Sequence, residues 1–500
     1  MPYHHFIPLI LLTLLISSPA SALILVTTAE DELQVDGDCS LREALRSANA
    51  NEAYDNCGLG APGADEIIIP LVDTLVIDSR LEIREAVTIT GVSPTETRIS
   101  GNGASQLFDI DLLSGSGDVI LENLGLQDGF VENGTGGGAL DVDCASLLRI
   151  ENVHFRDNVS AGTGLDNGPG GALRMRPSGG CGARLELIDT LFIGNQSLAN
   201  AGGAVWLSNS AQGFSSVLID RSRFVNNDAD TGGGGLFAFD IPNLSLINSL
   251  FEGNRGDLIG APNSNGGAIA LDADTSGPAL ALLRNLSVTD NFAGLRGGGL
   301  HVSGGQVAAL TNVSLIGNTA DNALGHAISV DDGATLVGYF LTAYDNGTGA
   351  VDDAALQVRF NATANIGHSI FANAWPSNRL CDVSADATYD SLGYVVDQSS
   401  TCTDEPNDLP LTEPDLVGPI RRLMGSTGFT VPVMMPAEGS AGVDIGPSTC
   451  PGPLATTTTN DQLGRARPVL DNRGAADCDA GAIERQPGEL GALLSDRFES

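Results

Sequence analysis

The sequence predicts an all-β chain wound as a right-handed parallel β-helix, with a disulfide-pinned helix capping its N-terminal mouth and an irregular cap at the other end. Three observations predict this. A glycine-rich step into a short strand recurs: GGGALDV at Gly136, GGALRM at Gly170, GGAVWL at Gly202, GGGLFAF at Gly233, GGAIAL at Gly266, GGGLHV at Gly297 and a degenerate GHAISV at Gly325. An alternating segment follows each copy and closes on an asparagine: Asn158, Asn195, Asn227, Asn254, Asn291, Asn318, Asn346 and, in a further copy, Asn373, spaced 27 to 37 residues apart. No helix-period segment separates the strands, which excludes leucine-rich and helical repeats and leaves a solenoid of short strands and Gly/Asn corners.

Residues 1–22 read as a signal peptide. FIPLILLTLLISSPASA is apolar up to Ala20-Ser21-Ala22, an A-x-A cleavage site, although only His4, His5 and the amino terminus supply positive charge before it. No later stretch approaches the roughly 18 apolar residues of a membrane span.

Residues 23–65 read as an N-terminal cap. In CSLREALRSANANEAYDNCG, Cys39 to Gly58, Ser40 and Glu43 have the spacing of a capping box. Leu41, Ala44, Leu45 and Ala48 form one apolar stripe, and Arg42, Arg46, Asn49 and Glu52 the opposite face. Gly58 and Gly60 are expected to stop a helix that runs from Ser40 to about Asn56. The stripe is too small to make a domain. A β-helix mouth, however, exposes stacked apolar side chains and unpaired strand edges, and this helix is expected to plug it. LILVTTAE and DEIIIPLVDTLVI on either side would begin the sheet.

Residues 66–375 are the repeats. Strands climb about 4.8 Å per coil, so roughly ten coils make a rod on the order of 50 Å long. Ile150, Val153 and Phe155 are expected to stack on Leu187, Leu191 or Phe192 one coil later. The asparagines are expected to form hydrogen-bonded ladders, with glycine pairs at corners where a side chain would clash. Residues 376–485 read as C-terminal coils and a terminal module, and 486–500 as a tail.

Composition narrows the function. With 63 glycines and 5% aromatics, a core built on large rings is not expected. Acidic residues outnumber basic ones 62 to 24, a net charge of −38, which excludes nucleic-acid binding. All 24 basic residues are arginine, which removes Schiff-base chemistry, a lysine base and a lysine phosphate cradle. The acidic surface suits solvation, and Ca²⁺ is the one cofactor it allows for; none is required. Eight cysteines without a C-x-x-C motif or a Cys/His cluster fit disulfides in an oxidising compartment. Pairing of sequence neighbours, Cys39 with Cys57, Cys144 with Cys181, Cys381 with Cys402 and Cys450 with Cys478, is one of roughly a hundred possible connectivities. Cys144 and Cys181 lie one copy apart at equivalent positions, which adjacent coils bring within disulfide reach.

CSLREA after LILVTTAEDELQVDGD resembles the CSLREA N-terminal domain of exported bacterial proteins. DQLGRARP from Asp461 to Pro468 with CDAGAIE from Cys478 to Glu484, preceded by PAEGSAGVDIG, resembles the choice-of-anchor terminal module. The repeats between them look like those of β-helix surface proteins. The resemblance implies an exported, extracellular or outer-membrane-associated protein and implies no reaction. The tail LLSDRFES is similar to short sorting tails with a Phe-Glu signature, with Arg497 where those have glycine. The last hundred residues lack the successive ten-residue alternating strands of a fused barrel.

Candidate site residues are few. Gly325-His326-Ala327-Ile328-Ser329 resembles the G-H-G-x-S segment of polygalacturonase-like enzymes, with Asp331 and Asp332 behind it, yet it falls on the Gly-Gly-Ala step of the other repeats. Arg174 and Arg176 share one strand face and could line a groove for acidic sugars; Trp206 could stack on a sugar. Asp141 with Asp143, and Asp272 with Asp274, are the candidate Ca²⁺ ligands. His154, His301 and His368 stand in different copies without metal-ligand spacing. Two readings result: a monomeric, adhesin-like scaffold that presents a flank to extracellular polysaccharide or to a neighbouring or host cell surface, or a polysaccharide lyase or glycoside hydrolase. Carboxylates and an arginine converging from consecutive coils would favour the second.

Overall fold

The computed structural model describes residues 21–112, 117–132, 136–162, 169–257, 264–274, 279–321, 324–350, 353–374, 379–410, 421–424, 430–434, 443, 445–468 and 477–484. Residues 1–20, where a signal peptide is expected, most of PAEGSAGVDIG and residues 486–500 lie outside the described residues. The chain is a right-handed parallel β-helix. Its strands stack into an 11-stranded sheet, a 23-stranded sheet and a seven-stranded sheet of two-residue strands, every rung parallel. Parallel pairing begins where Leu23–Leu25 meets Asp65–Ile68 and continues to Leu409–Pro410, beyond both ends of the 66–375 segment.

Each coil follows from its sequence. A Gly pair turns the chain into a strand of the 11-stranded sheet, and an alternating segment then crosses the large sheet in two pieces. A residue in the left-handed region separates the pieces, for instance Asn152, Asp189, Arg221 or Asn248. Asn and Asp tolerate this conformation best. The closing asparagine begins the short strand that leads to the next corner. At that corner a Cβ on Gly203 would stand 2.2 Å from the Gly234 carbonyl oxygen, so only glycine lets consecutive corners superpose.

The core is a set of columns. Phe155, Phe192, Phe224 and Phe251 are fully buried and stack with centroids 4.6, 4.8 and 4.4 Å apart and nearly parallel planes. Ile150 registers with Leu187 and Phe155 with Phe192, as the repeat predicts. Val153 does not stack on Leu191: Leu191 registers with His154 on the outer face and reaches Val153 only through its backbone N–H, which donates to the Val153 carbonyl at 3.0 Å. The asparagine ladder forms from Asn158 to Asn346 and stops there. Asn373 occupies the next position, but its side chain has no hydrogen-bond partner, and its backbone N–H donates to Gln398 Oε1 instead.

The N-terminal helix is Leu41–Ala50 and ends six residues before the spacing predicts. The Ser40/Glu43 capping box is present in both directions. Asn51, in the left-handed region with φ 56°, ends the helix. Gly58 and Gly60 serve close packing instead: a Cβ on Gly60 would lie 2.2 Å from the Ser47 carbonyl oxygen. Leu41, Ala44, Leu45 and Ala48 join the same buried cluster as Ile24, Leu81 and Ile83, so the helix closes the first coil. All four neighbour disulfides are formed, with Cα separations of 5.0, 6.0, 5.3 and 5.7 Å. The bond between Cys381 and Cys402 folds a loop over the last coil, and the Tyr389 hydroxyl donates to the Cys402 carbonyl. The C-terminal mouth is closed there.

The described residues beyond Pro410 that make contacts lie along the flank of the coils. Val431, Val433, Leu463 and Ile483 pack on Leu250. Gln462 Nε2 donates to the Leu286 carbonyl at 2.7 Å, and Ser314 Oγ donates to Gln462 Oε1. Arg467 is the buried centre of this strap. Its guanidinium lies 3.9 Å over the Phe340 ring, donates to the Gly481 carbonyl and approaches Glu484 at 3.4 Å.

Candidate functional site

The parallel register turns one repeat position into a column on the outer face of the 11-stranded sheet. Its members are Asp109, Asp141, Arg174, Trp206, Phe237, Ala270, His301, Ser329, Gln357 and Asp382, one per coil. Two residues on, a second column holds Ser208, Phe239, Asp272 and Ser303, continued by Asp331 and Arg359. Together they make a strip with an arginine–carboxylate end, an aromatic centre and a His/Ser/Gln/Asp/Arg end.

At the first end Arg174 is 3% exposed and Asp141 5%. One guanidinium nitrogen bridges both Asp141 and Asp143. These two carboxylates, candidates for Ca²⁺, thus already share a cation, and Arg174 is buried with them instead of lining an open groove. Arg176 donates to Ser210 Oγ at the strip's edge. Trp206 is 8% exposed, so it is not a free aromatic surface; it stacks parallel to Phe237 at 6.4 Å beneath the Arg174 guanidinium. Phe237 and Phe239 are the half-buried rings that reach the surface.

At the other end, Asp272 accepts a hydrogen bond from Ser303 Oγ at 2.8 Å, and Asp331 accepts from Arg359 Nε at 2.9 Å. Asp274 is exposed beyond the strand end, whereas Asp272 is half-buried within it. Burial holds the His301 imidazole below its ordinary range, against the pull of Asp331 and Asp272. Nδ1 of His301, Oγ of Ser329 and Oε1 of Gln357 are buried and have no hydrogen-bond partner.

The structure does not assemble a site around His326. Its ring is fully buried at the repeat corner, where Nδ1 accepts from the Ala320 N–H at 2.8 Å and Nε2 faces Asp353 at 3.3 Å. Asp331 lies about 16 Å further along the extended chain, engaged with Arg359. Asp332 is exposed in the following turn at φ 52°. Among the described residues no group of three or more His, Cys, Asp or Glu side chains could hold a metal ion, and no helix is long and apolar enough to cross a membrane.

His301, Ser329 and Gln357 are residues that a motif search passes over. The signal that finds them is positional: when the repeats are stacked, the residue following GGGL, GHAI and DAAL falls in one column. The copy at DAALQVRF lacks the glycine pair, which hid it.

Residues 138–351 match the family model described as a right handed beta helix region, so the segment that carries most of this strip has the sequence character of the fold it adopts. No curated protein and no solved structure matches the chain.

Proposed function

We propose that this chain is an exported β-helix scaffold that binds an extracellular glycan along the outer strip of its 11-stranded sheet. The observation that carries the reading is the strip itself: polar and ionic groups on both sides of the half-buried rings of Phe237 and Phe239, on a rigid, regularly spaced surface. Sugars offer apolar ring faces and many hydroxyls, and mixed aromatic–polar surfaces of this kind complement them. Four disulfides support an oxidising, extracellular destination. The resemblance at both ends of the chain supports display at the bacterial surface through a terminal anchor, with polysaccharide of a matrix or of another cell as partner. The test is a polysaccharide array probed with the mature chain. Retention by at least one polysaccharide, lost when Phe237 and Phe239 are both changed to Ala, is expected; no retention, or retention that ignores both rings, overturns the reading.

A hydrolase reading has one observation of its own. Asp272 and Asp331 occupy the second column two rungs apart, about 9.6 Å by strand spacing, near the separation of an inverting carboxylate pair. Reducing ends released from the retained polysaccharide, abolished by Asp331→Asn, would establish it.

A further inference from the structure

We propose that the C-terminal end of this strip is a subsite for a carboxylate-bearing sugar, with Arg296 pairing the carboxylate and His301, Ser329 and Gln357 forming its hydrogen-bonding floor. The inference rests on the glycan reading above and adds the chemical class of the ligand.

The floor is built from atoms that lack something. His301, Ser329 and Gln357 sit in adjacent rungs and are 6%, 0% and 3% exposed. Each has a buried polar atom without a hydrogen-bond partner. Leaving such an atom unpaired costs roughly 1–3 kcal/mol, and native proteins rarely tolerate three in a row. In the same coils Asn318 and Asn346 are paired in the asparagine ladder, whereas Asn373 is not. A saccharide supplies what is missing, since its hydroxyls both donate and accept.

The wall supplies the charge. Arg296 lies in the corner immediately before Gly297, whose Cβ position is 3.0 Å from Cβ of His301. It is half-buried and has no ion pair among the described residues, whereas Arg359 nearby is tied to Asp331. Burial and then the like charge of Arg359 lower its pKa, the situation that an anion placed between them relieves. In a chain of net charge −38, an unpaired arginine beside another arginine is a local exception. The anion is limited in charge, because Asp331 and Asp332 lie within electrostatic range of Arg296 and would repel a dianion. A carboxylate carries one charge and matches the planar guanidinium fork.

The test is calorimetric titration of the mature chain with hexamers of galacturonate, glucuronate and mannuronate, each as free acid and as methyl ester. At least one free acid is expected to bind about tenfold or more tighter than its own ester, and Arg296→Gln is expected to bring the acid to the affinity of the ester without moving the ester. Ser329→Ala removes an atom without a partner, so it is expected to weaken binding severalfold while leaving the melting temperature unchanged or raised. Esters that bind as tightly as acids, or an Arg296→Gln variant that discriminates as before, would overturn the subsite and leave the glycan reading standing. Equal binding of a sulfated neutral hexamer would overturn the carboxylate assignment. Failure of every saccharide, charged or neutral, to bind the folded protein removes the glycan reading and the subsite with it.

Discussion

Asn291 donates its side-chain amide to Oδ1 of Asn318 at 2.9 Å, and its backbone N–H reaches the same oxygen at 3.2 Å. The same pair of bonds recurs at six successive rungs from Asn158 to Asn346. Each asparagine also donates to a carbonyl of the coil below, so one side chain saturates three groups at a fully buried turn. Asn291→Ala is therefore expected to cost about 3 kcal/mol, from several buried groups left unpaired, whereas Asn373→Ala, beyond the end of the ladder, is expected to cost less than about 1 kcal/mol. Denaturant midpoints of the two variants check this, and equal losses would refute the ladder's role.

The capping helix acts partly as a substitute strand. Asn49 Nδ2 donates to the Glu82 carbonyl and Asn49 Oδ1 accepts from the Arg84 N–H, so one carboxamide occupies the free edge of the outermost strand of the 11-stranded sheet. Asn49→Leu is expected to expose that edge, speed amide exchange at Arg84 and produce end-to-end dimers in light scattering. Unchanged exchange at Arg84 would show that the helix body suffices.

The C-terminal strap depends on Arg467. Replacing it with Met takes the guanidinium away from the buried Glu484 carboxylate, a loss on the order of 3 kcal/mol. The strap is expected to lift, so exchange should rise in the outward pieces of Ala279–Thr289 and Gln306–Ile316. The Phe column on the inner side should stay protected. Uniform loosening of the coils would show that the strap holds the solenoid itself.

Burial, and then the charge of Arg467, push His368 down to about 4 from an ordinary 6.5. The unfolded chain takes up this proton first, so stability is full above about pH 6.5 and falls as pH drops toward 4, by at most about 3 kcal/mol from this group. Asp397, raised by burial, has the opposite sign: its contribution is present at low pH and lost as pH rises through its folded value. Comparing His368→Asn with the parent isolates the histidine. Asn accepts the positive φ of this position, and the variant's stability curve should be flatter between pH 6.5 and 4.

The fold was legible because a solenoid writes its register into the sequence. The glycine steps and closing asparagines recur at the coil period and reveal it, whereas the buried column of Phe155, Phe192, Phe224 and Phe251 runs against the expectation from composition, because a low aromatic content does not say where the few rings stack. The helix length was not legible, since Asn51 ends it through a left-handed conformation that many asparagines avoid. The flanking strap was hidden for a different reason: Gln462 and Arg467 satisfy groups more than a hundred residues away, and no local pattern announces such a contact. At the site, His326 drew notice through its motif and is buried structure. His301, which carries no motif, stands on the outer face because of its place in the count.

Radical footprinting of the protein, free and saturated with a retained polysaccharide, tests the central claim most directly. Protection is expected at Phe237, Phe239 and His301, with Tyr54 beside the capping helix unchanged. Protection elsewhere on the coils, with these three labelled equally in both states, would contradict the account.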